Sequence, residues 1–262
     1  MSDKNQSPIS AQRLANLVLD VATYLLASGA HCGRVNRNIT RMANVWNFDV
    51  HLNLTFKGVT TTVIDRGNED NMVTFYKQAP EHNIHLNVLS EISHLSWKVH
   101  DEHLSIDEVE KQIATLKDMK TYNNITVAIA CAFACAGLCL FSFGDYLNAT
   151  VAFVATFVGY ITKVFMASRN YNSMISIGLA AFITTIITGS GTIFHIGANP
   201  EAAMATAVLY LIPGVPLINS VIDLIEGYTL SSINRMLFGG FILLCIAAGM
   251  TLAITLIGID NF

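Results

Sequence analysis

Charge is scarce in this sequence, and most of it sits in one half. Asp, Glu, Lys and Arg together make up 13% of the residues, 34 in all, and only eight of them lie between Thr121 and Phe262. A stretch that poor in charge does not suit a water-covered surface, so the chain reads as two regions in two solvents. The net charge of −4 is small and dispersed, and no basic patch carries interleaved aromatics, which argues against a nucleic-acid partner. The five cysteines, at 32, 131, 135, 139 and 245, are odd in number, and four of them fall in apolar segments. That pattern argues against a disulfide framework, and no pair has zinc-ribbon spacing. There is no Gly-rich phosphate loop, no GxSxG elbow and no HExxH helix, so no catalytic residue, metal or cofactor is assigned. The segment Met1 to Pro8 is polar, and Arg13 and Asp20 interrupt the first apolar stretch, so a secretory signal is not expected.

What is present in the second half is a series of apolar runs. Asn124 to Phe143 contains no charge over twenty residues, the length that crosses hydrocarbon at about 1.5 Å per residue. Further spans are expected at about 146–166, 174–194, 204–225 and 236–259, giving five transmembrane helices. The basic residues of the connections, Lys117, Lys120, Arg169 and Arg235, all fall on one side of that topology. The other side, near Asp145, His195 to Glu201 and Asp260, has none. By the positive-inside rule the N-terminus is cytoplasmic and the C-terminus periplasmic. Cys131, Cys135 and Cys139 recur every four residues on one helix face beside Ala128, Ala132 and Ala136, where small side chains let a neighbouring helix approach.

Residues 1–120 read as a small cytoplasmic α+β domain, and 121–262 as the transmembrane domain. Apolar residues at helical spacing from Ile9 to Ala27 end at Gly29, and a second helix is expected over Arg34 to Trp46. The period then changes to two. Asp49 to Phe56, Val59 to Ile64 and Met72 to Lys77 read as an antiparallel meander. Helices follow from Val88 to His103 and, opened by a Ser105/Glu108 capping box, to Met119. His82, His85, His94, His100 and His103 invite a metal reading that their spacing does not support.

The most informative segment is Leu209 to Gly227, LYLIPGVPLINSVIDLIEG. Pro213 and Pro216 flank Gly214, and each proline removes an amide donor and clashes with the preceding turn, so the fourth span is expected to be two half-helices. Pro216 suits the first turn of the second half. Backbone freed by such a break must face protein or a water-filled cavity, which is how many transporters build a mid-membrane substrate site. Asn219 and Asp223, four apart, share one face. Asn219 is a candidate to contact substrate, and Asp223 to handle a proton, a cation or a substrate ammonium; an interfacial role for Asp223 is the alternative. Lys163 either pairs with Asp223 or snorkels to the interface. Thr184, Thr185, Thr188, Ser190 and Thr192 form a polar stretch that packs or, with Thr188 as the candidate, lines a pathway.

The block LIPGVPLINSVIDLIEG, with Pro213, Gly214, Pro216, Leu217, Asn219, Asp223 and Gly227, resembles the signature of the threonine/serine exporter (ThrE) family. Asn87 to Ile92 is similar to a stretch late in that family's soluble domain, and the order of a cytoplasmic α+β domain before five helices matches as well. The resemblance implies an exporter of small carboxylate metabolites, threonine and serine in some members and succinate in others. Single-chain members carry a second block of helices, absent here, so the chain is similar to the larger subunit of split exporters of the YjjP and YjjB type. A separate small YjjB-like membrane subunit would complete it in a bacterial inner membrane, with membrane lipid and a further copy of the chain as other possible partners. The rival readings are a membrane-anchored enzyme with a catalytic N-terminal domain, and a sensory or scaffold protein.

Overall fold

A computed structural model describes residues 9–80, 84–119 and 122–258. His82, Lys120, Ile259 and Asp260, named above, lie outside them. The chain groups into two compact units, Met1–Thr121 with Val215–Leu237, and Tyr122–Gly214 with Phe238–Phe262. The division expected from composition, at residue 120, differs from this grouping in one segment. Residues 215–237 associate with the N-terminal residues, through the polar contacts described below.

In the first unit, helix α1 (Ala11–Ala27) is capped by Ser10, whose hydroxyl accepts from the Arg13 amide at 3.2 Å. It stops at Gly29, which adopts φ +99°, a conformation that suits glycine. Helix α2 (Cys32–Val45) begins two residues earlier than its apolar pattern indicates, because His31 serves as N-cap through Nδ1. Strands β1 (Phe48–Thr55), β2 (Gly58–Asp65) and β3 (Asn68–Gln78) form an antiparallel sheet in the order β1-β2-β3. The third strand starts four residues before its expected boundary. Asp65 Oδ1 accepts from the Gly67 amide at 2.8 Å, which tightens the turn so that Asp65 already pairs with Asn68.

Val59 and Val63 of β2, both fully buried, meet Leu14, Val18 and Leu25 of α1 in one apolar core. Each such side chain contributes roughly 1.5–3 kcal/mol on burial. Helices α3 (Leu86–Glu102) and α4 (Ile106–Lys117) add Val88, Ile92, Val99 and Val109 to that core. The Ser105/Glu108 capping box is fully formed, and His103 closes α3 at φ +51°.

The second unit holds α5 (Asn124–Phe141), α6 (Tyr146–Ser168), α7 (Ser173–Ile193), the short α8 (Pro200–Ala207), a 3₁₀ turn (Leu209–Leu211) and the distal part of α10 (Thr229–Ile257). Its helices meet through small residues: Cys139, Ala152, Ala155, Ala202, Ala203 and Ala207 form one buried cluster. Cys135 and Cys139 are buried and Cys131 partly so, all as free thiols. The segment from His195 to Asn199 is tied to the start of α6. Asp145 Oδ2 accepts from Ala198 N at 2.9 Å, and Asn148 donates to the Ile196 carbonyl and accepts from Asn199 N. Asn199 then caps α8 with Pro200 in its first turn, which moves that start four residues ahead of the expected Met204.

Four described helices, α5, α6, α7 and α10, are long and apolar enough to cross a membrane. Pro200–Leu211 and Gly214–Ile225, the latter being α9, pass the same test as one interrupted span, so the count is four or five. Ile212 is extended, and α9 starts directly after Pro213 with Pro216 in its first turn. One expectation is corrected. Arg235, counted above as a loop residue near the start of a span at 236, lies inside α10 and is buried, because α10 begins at Thr229.

Candidate functional site

Two polar neighbourhoods contain the candidate residues, one in each unit. In the first, α9 brings Asn219, Ser220 and Asp223 to its buried face. Asn219 Nδ2 donates to the Gly29 carbonyl at 2.7 Å, the carbonyl of the residue that ends α1. Asp223, with no exposed surface, accepts from the Cys32 amide through Oδ1 at 2.7 Å and from the Cys32 thiol through Oδ2 at 3.4 Å. Cys32 is the first residue of α2, so the carboxylate caps the positive end of that helix dipole. Arg235 Nε lies 3.0 Å from the same Oδ2, close as an ion pair though not aligned as a hydrogen bond, and Arg235 Nη2 donates to the Ala30 carbonyl at 2.8 Å. The ion partner of Asp223 is therefore Arg235, where the sequence had offered Lys163.

Around this pair the contacts continue. Ser231 Oγ donates to the Leu54 carbonyl at 2.7 Å and Ser232 Oγ to the Ser220 carbonyl at 2.6 Å. Glu226 lies against His31 Nδ1 at 3.2 Å and Arg37 Nη1 at 2.8 Å. Gly33 makes room for it, since a Cβ at Gly33 would overlap the Glu226 carboxylate. The Arg37 hydrogen bond holds the Glu226 carboxyl below its usual range, with His31 assisting. Burial lowers the His31 imidazole despite the opposing pull of Glu226. Burial pushes the Cys32 thiol up to about 11, so it is no nucleophile at neutral pH.

Among the described residues, His31, Asp223 and Glu226 are the one set of three ligand-type side chains whose donor atoms lie within 4.8 Å of one another. Both oxygens of Asp223 already face protein donors, and His31 Nδ1 already accepts from Arg34 N. A cation would have to displace Arg235. Of the other histidines, His85 caps α3 and His100 faces Asp101.

In the second unit, α6, α7 and the turn before Pro213 bring together Lys163, Tyr160, Tyr210 and Thr184. Tyr210 and Thr184 hydroxyls lie 3.2 Å apart, and Thr184 Oγ1 also donates to the Ala180 carbonyl at 2.8 Å. The Tyr160 and Tyr210 rings are 6.1 Å apart between centroids, and the Lys163 ammonium lies 6.0 Å from the Tyr160 ring. Gly159 opens the space, since a Cβ there would overlap both the Thr184 and Tyr210 hydroxyls. Lys163 forms no ion pair among the described residues. Thr188, fully buried, bonds back to the Thr184 and Thr185 carbonyls at 3.1 and 3.3 Å.

The profile of the family described as "Putative threonine/serine exporter" (ThrE) matches residues 16–257. The chain belongs to the ThrE family. ThrE membership together with several long apolar helices makes it a multi-pass membrane protein, and a transporter component rather than an enzyme. It is similar to a protein of Klebsiella aerogenes named "Probable succinate transporter subunit YjjP", 27% identical over 98% of this chain and 99% of the relative. A protein of Escherichia coli strain K12 with the same name is 25% identical over 95% of this chain and 96% of its own length. No solved structure gives a significant match.

Sequence reasoning had singled out Asn219 and Asp223 by spacing, and Lys163 and Thr188 by their place in apolar runs. It missed Tyr160, Tyr210 and Gly159, although Gly-Tyr three residues before Lys163 and Tyr three residues before Pro213 were visible signals. It also missed the partners Gly29, Cys32 and Arg235, which no local pattern joins to α9.

Proposed function

We propose that this ThrE-family chain is the larger subunit of a split exporter that carries small carboxylate metabolites outward across a bacterial inner membrane. A separate small membrane subunit of the YjjB type would complete it, and the N-terminal unit would lie in the cytoplasm. The observation that carries this reading is the end-to-end similarity to two proteins named as succinate transporter subunits. Similarity over the whole length includes the interrupted segment as well as the N-terminal α+β elements, so both parts are read as serving transport.

Within this reading the interrupted helix has a mechanical meaning. Pro213 and Gly214 supply a break that the backbone can use as a hinge, and Pro216 starts α9 cleanly after it. Asn219 and Asp223 direct their polar atoms at Gly29, Cys32 and Arg235, so they act as the attachment of α9 to the N-terminal unit. Substrate or proton handling by Asp223 would require this attachment to open. Lys163 and Thr188 are the candidates on the membrane side.

Co-expression of the chain with its small partner, followed by efflux of labelled succinate and threonine from preloaded cells, tests the function. Faster efflux of at least one substrate than from control cells is expected. If neither leaves faster, the exporter reading fails.

A further inference from the structure

We infer that the outer edge of β3 is a docking surface for a second copy of this chain, which adds its own β3 antiparallel about a two-fold axis at Thr74. The two edges of the sheet differ. At β1 the Leu54 carbonyl accepts from Ser231 Oγ at 2.7 Å, whereas among the described residues no strand pairs with the far side of β3. An open edge is a row of unpaired amides and carbonyls that templates another strand, and proteins blunt it with proline, bulges or charge. From Met72 to Tyr76, MVTFY, β3 has none of these, and the register shift in its pairing with β2 lies ahead of Met72, at the Ile64/Asp65 step. Lys77, the next residue, is turned to Asp20 of α1.

The register decides which groups point outward. The Ala79 amide donates to the Lys57 carbonyl at 2.9 Å, and antiparallel pairs alternate between bonded and non-bonded. Val59/Lys77, Thr61/Phe75 and Val63/Val73 are therefore the bonded pairs between β2 and β3. The amides and carbonyls of Met72, Thr74, Tyr76 and Gln78 are left directed away from β2. Side chains alternate as well: Val73 and Phe75 pack on the core, and Met72 and Tyr76 emerge on the other face, 56% and 61% exposed. Thr74 Oγ1 lies 2.9 Å from Thr62 Oγ1, which turns that side chain toward β2.

The strand matches itself, and this is what commits the surface to a second copy. Met72 and Tyr76 stand two residues either side of Thr74, so a two-fold axis there sets Met72 of each copy against Tyr76 of the other. Thr74 meets Thr74 as a bonded pair, and Val73 lies opposite Phe75. Asp70 and Asn71 fall opposite Gln78 and Lys77, so no like charges meet. Sliding the register by two residues in either direction opposes Met72 to Thr74 or Gln78, and Tyr76 to Asp70 or Thr74, and loses the apolar match. A slip by one residue brings up the backbone groups that β2 already uses.

Disulfide trapping in membranes that carry the full chain with its small partner tests the inference. Bonded partners stand about 5.5 Å apart at Cα, within disulfide reach. Under mild oxidation Thr74→Cys is expected to give a band at twice the mass of the chain, about fivefold or more above both wild type, with its native cysteines, and Asn53→Cys, an exposed control on β1. Added to Thr74→Cys, the pair Met72→Lys/Tyr76→Lys sets lysine against lysine and cuts the band about fivefold, while Met72→Glu/Tyr76→Lys sets opposite charges together and restores it. Thermal unfolding of each variant shows that it is folded. A band no stronger than the control's, a charge-swapped chain trapped no better than the double-lysine chain, or trapping to the small subunit in place of a second copy each overturns the inference. If Thr74→Cys does not fold, chains bearing Met72→Cys and Tyr76→Cys are co-expressed under separate tags. Trapping between unlike chains above that between like chains then supports the two-fold register, and equal trapping overturns it.

Discussion

Asp223 and Arg235, twelve residues apart in sequence and on two successive helices, face each other at 3.0 Å with almost no exposed surface on either. A buried ion pair is weak evidence of stability by itself, because both charges have lost their water. Here the remaining valences are filled, by the Cys32 amide on one side and the Ala30 carbonyl on the other. Removing one partner strands the other. Asp223→Ala is therefore expected to destabilise the unit by about 3–5 kcal/mol, and Asp223→Asn by less, because the amide oxygen still accepts from Cys32. The double variant Asp223→Leu/Arg235→Met should be less harmful than the sum of its single changes. Thermal unfolding of the detergent-solubilised protein across this cycle measures the coupling, and additive effects would show that the pair is not linked.

Asn219 and Gly29 make the neighbouring contact, and here the backbone sets the tolerance. Asn219→Ala leaves the Gly29 carbonyl buried without its donor, a cost of about 1–3 kcal/mol. Asn219→Asp should cost more, since it offers an acceptor to an acceptor and adds a charge. Gly29→Ala places a Cβ 3.3 Å from Val215 Cγ1 at φ +99°, which adds backbone strain of roughly 1–2 kcal/mol. Limited proteolysis in the 226–228 turn provides a second readout, with cleavage expected to rise in all three variants and to remain at the wild-type level if the contact is dispensable.

These two contacts show where the sequence was readable and where it was not. Spans over α5, α6 and α7 were placed within about two residues, because uninterrupted apolar length is a local property. The β1–β3 meander and the Ser105 capping box were equally local. The start of α10 was missed by seven residues, because the polar run SSINR looks like a loop. In the structure Ser231, Ser232 and Arg235 of that run are buried against Leu54, Ser220 and Asp223. That pairing depends on tertiary contact between α9, α10 and the N-terminal elements, and spacing within α9 gave no sign of it. Lys163 was visible as an intramembrane charge, but its aromatic company needed three helices to be packed.

Acidification should loosen the same region from its exposed edge. The His31 imidazole is held below the usual 6.5 by burial, and the Glu226 carboxyl below the usual 4.5 chiefly by Arg37. Both shifts have the same sign: the unfolded chain binds the proton more readily than the folded one, so their contribution is complete above pH 6.5 and is lost as pH falls. His31 titrates first, facing Glu226, Arg37 and Asp223, and Glu226 follows below 4.5. The melting temperature is expected to be flat from pH 8 to 7 and to decline below 6.5, and His31→Gln should remove the first part of that decline. A decline that begins only below pH 5 in both proteins would assign it to carboxylates alone.

Gly178 of α7 and Gly249 of α10 test the packing of the second unit independently of any charge. A Cβ on Gly249 would overlap the Gly178 carbonyl, so these helices cross with backbone against backbone. Gly249→Val is expected to force them apart, with an overpacking cost of about 1–3 kcal/mol or more. Gly240, nine residues earlier in α10, has open space where its Cβ would stand. Gly240→Ala should be neutral or gain up to about 1 kcal/mol of helix propensity. Two glycines in one helix should thus respond with opposite sign in the same thermal-unfolding assay, and equal responses would mean that the crossing at Gly249 is looser than the backbone contact requires.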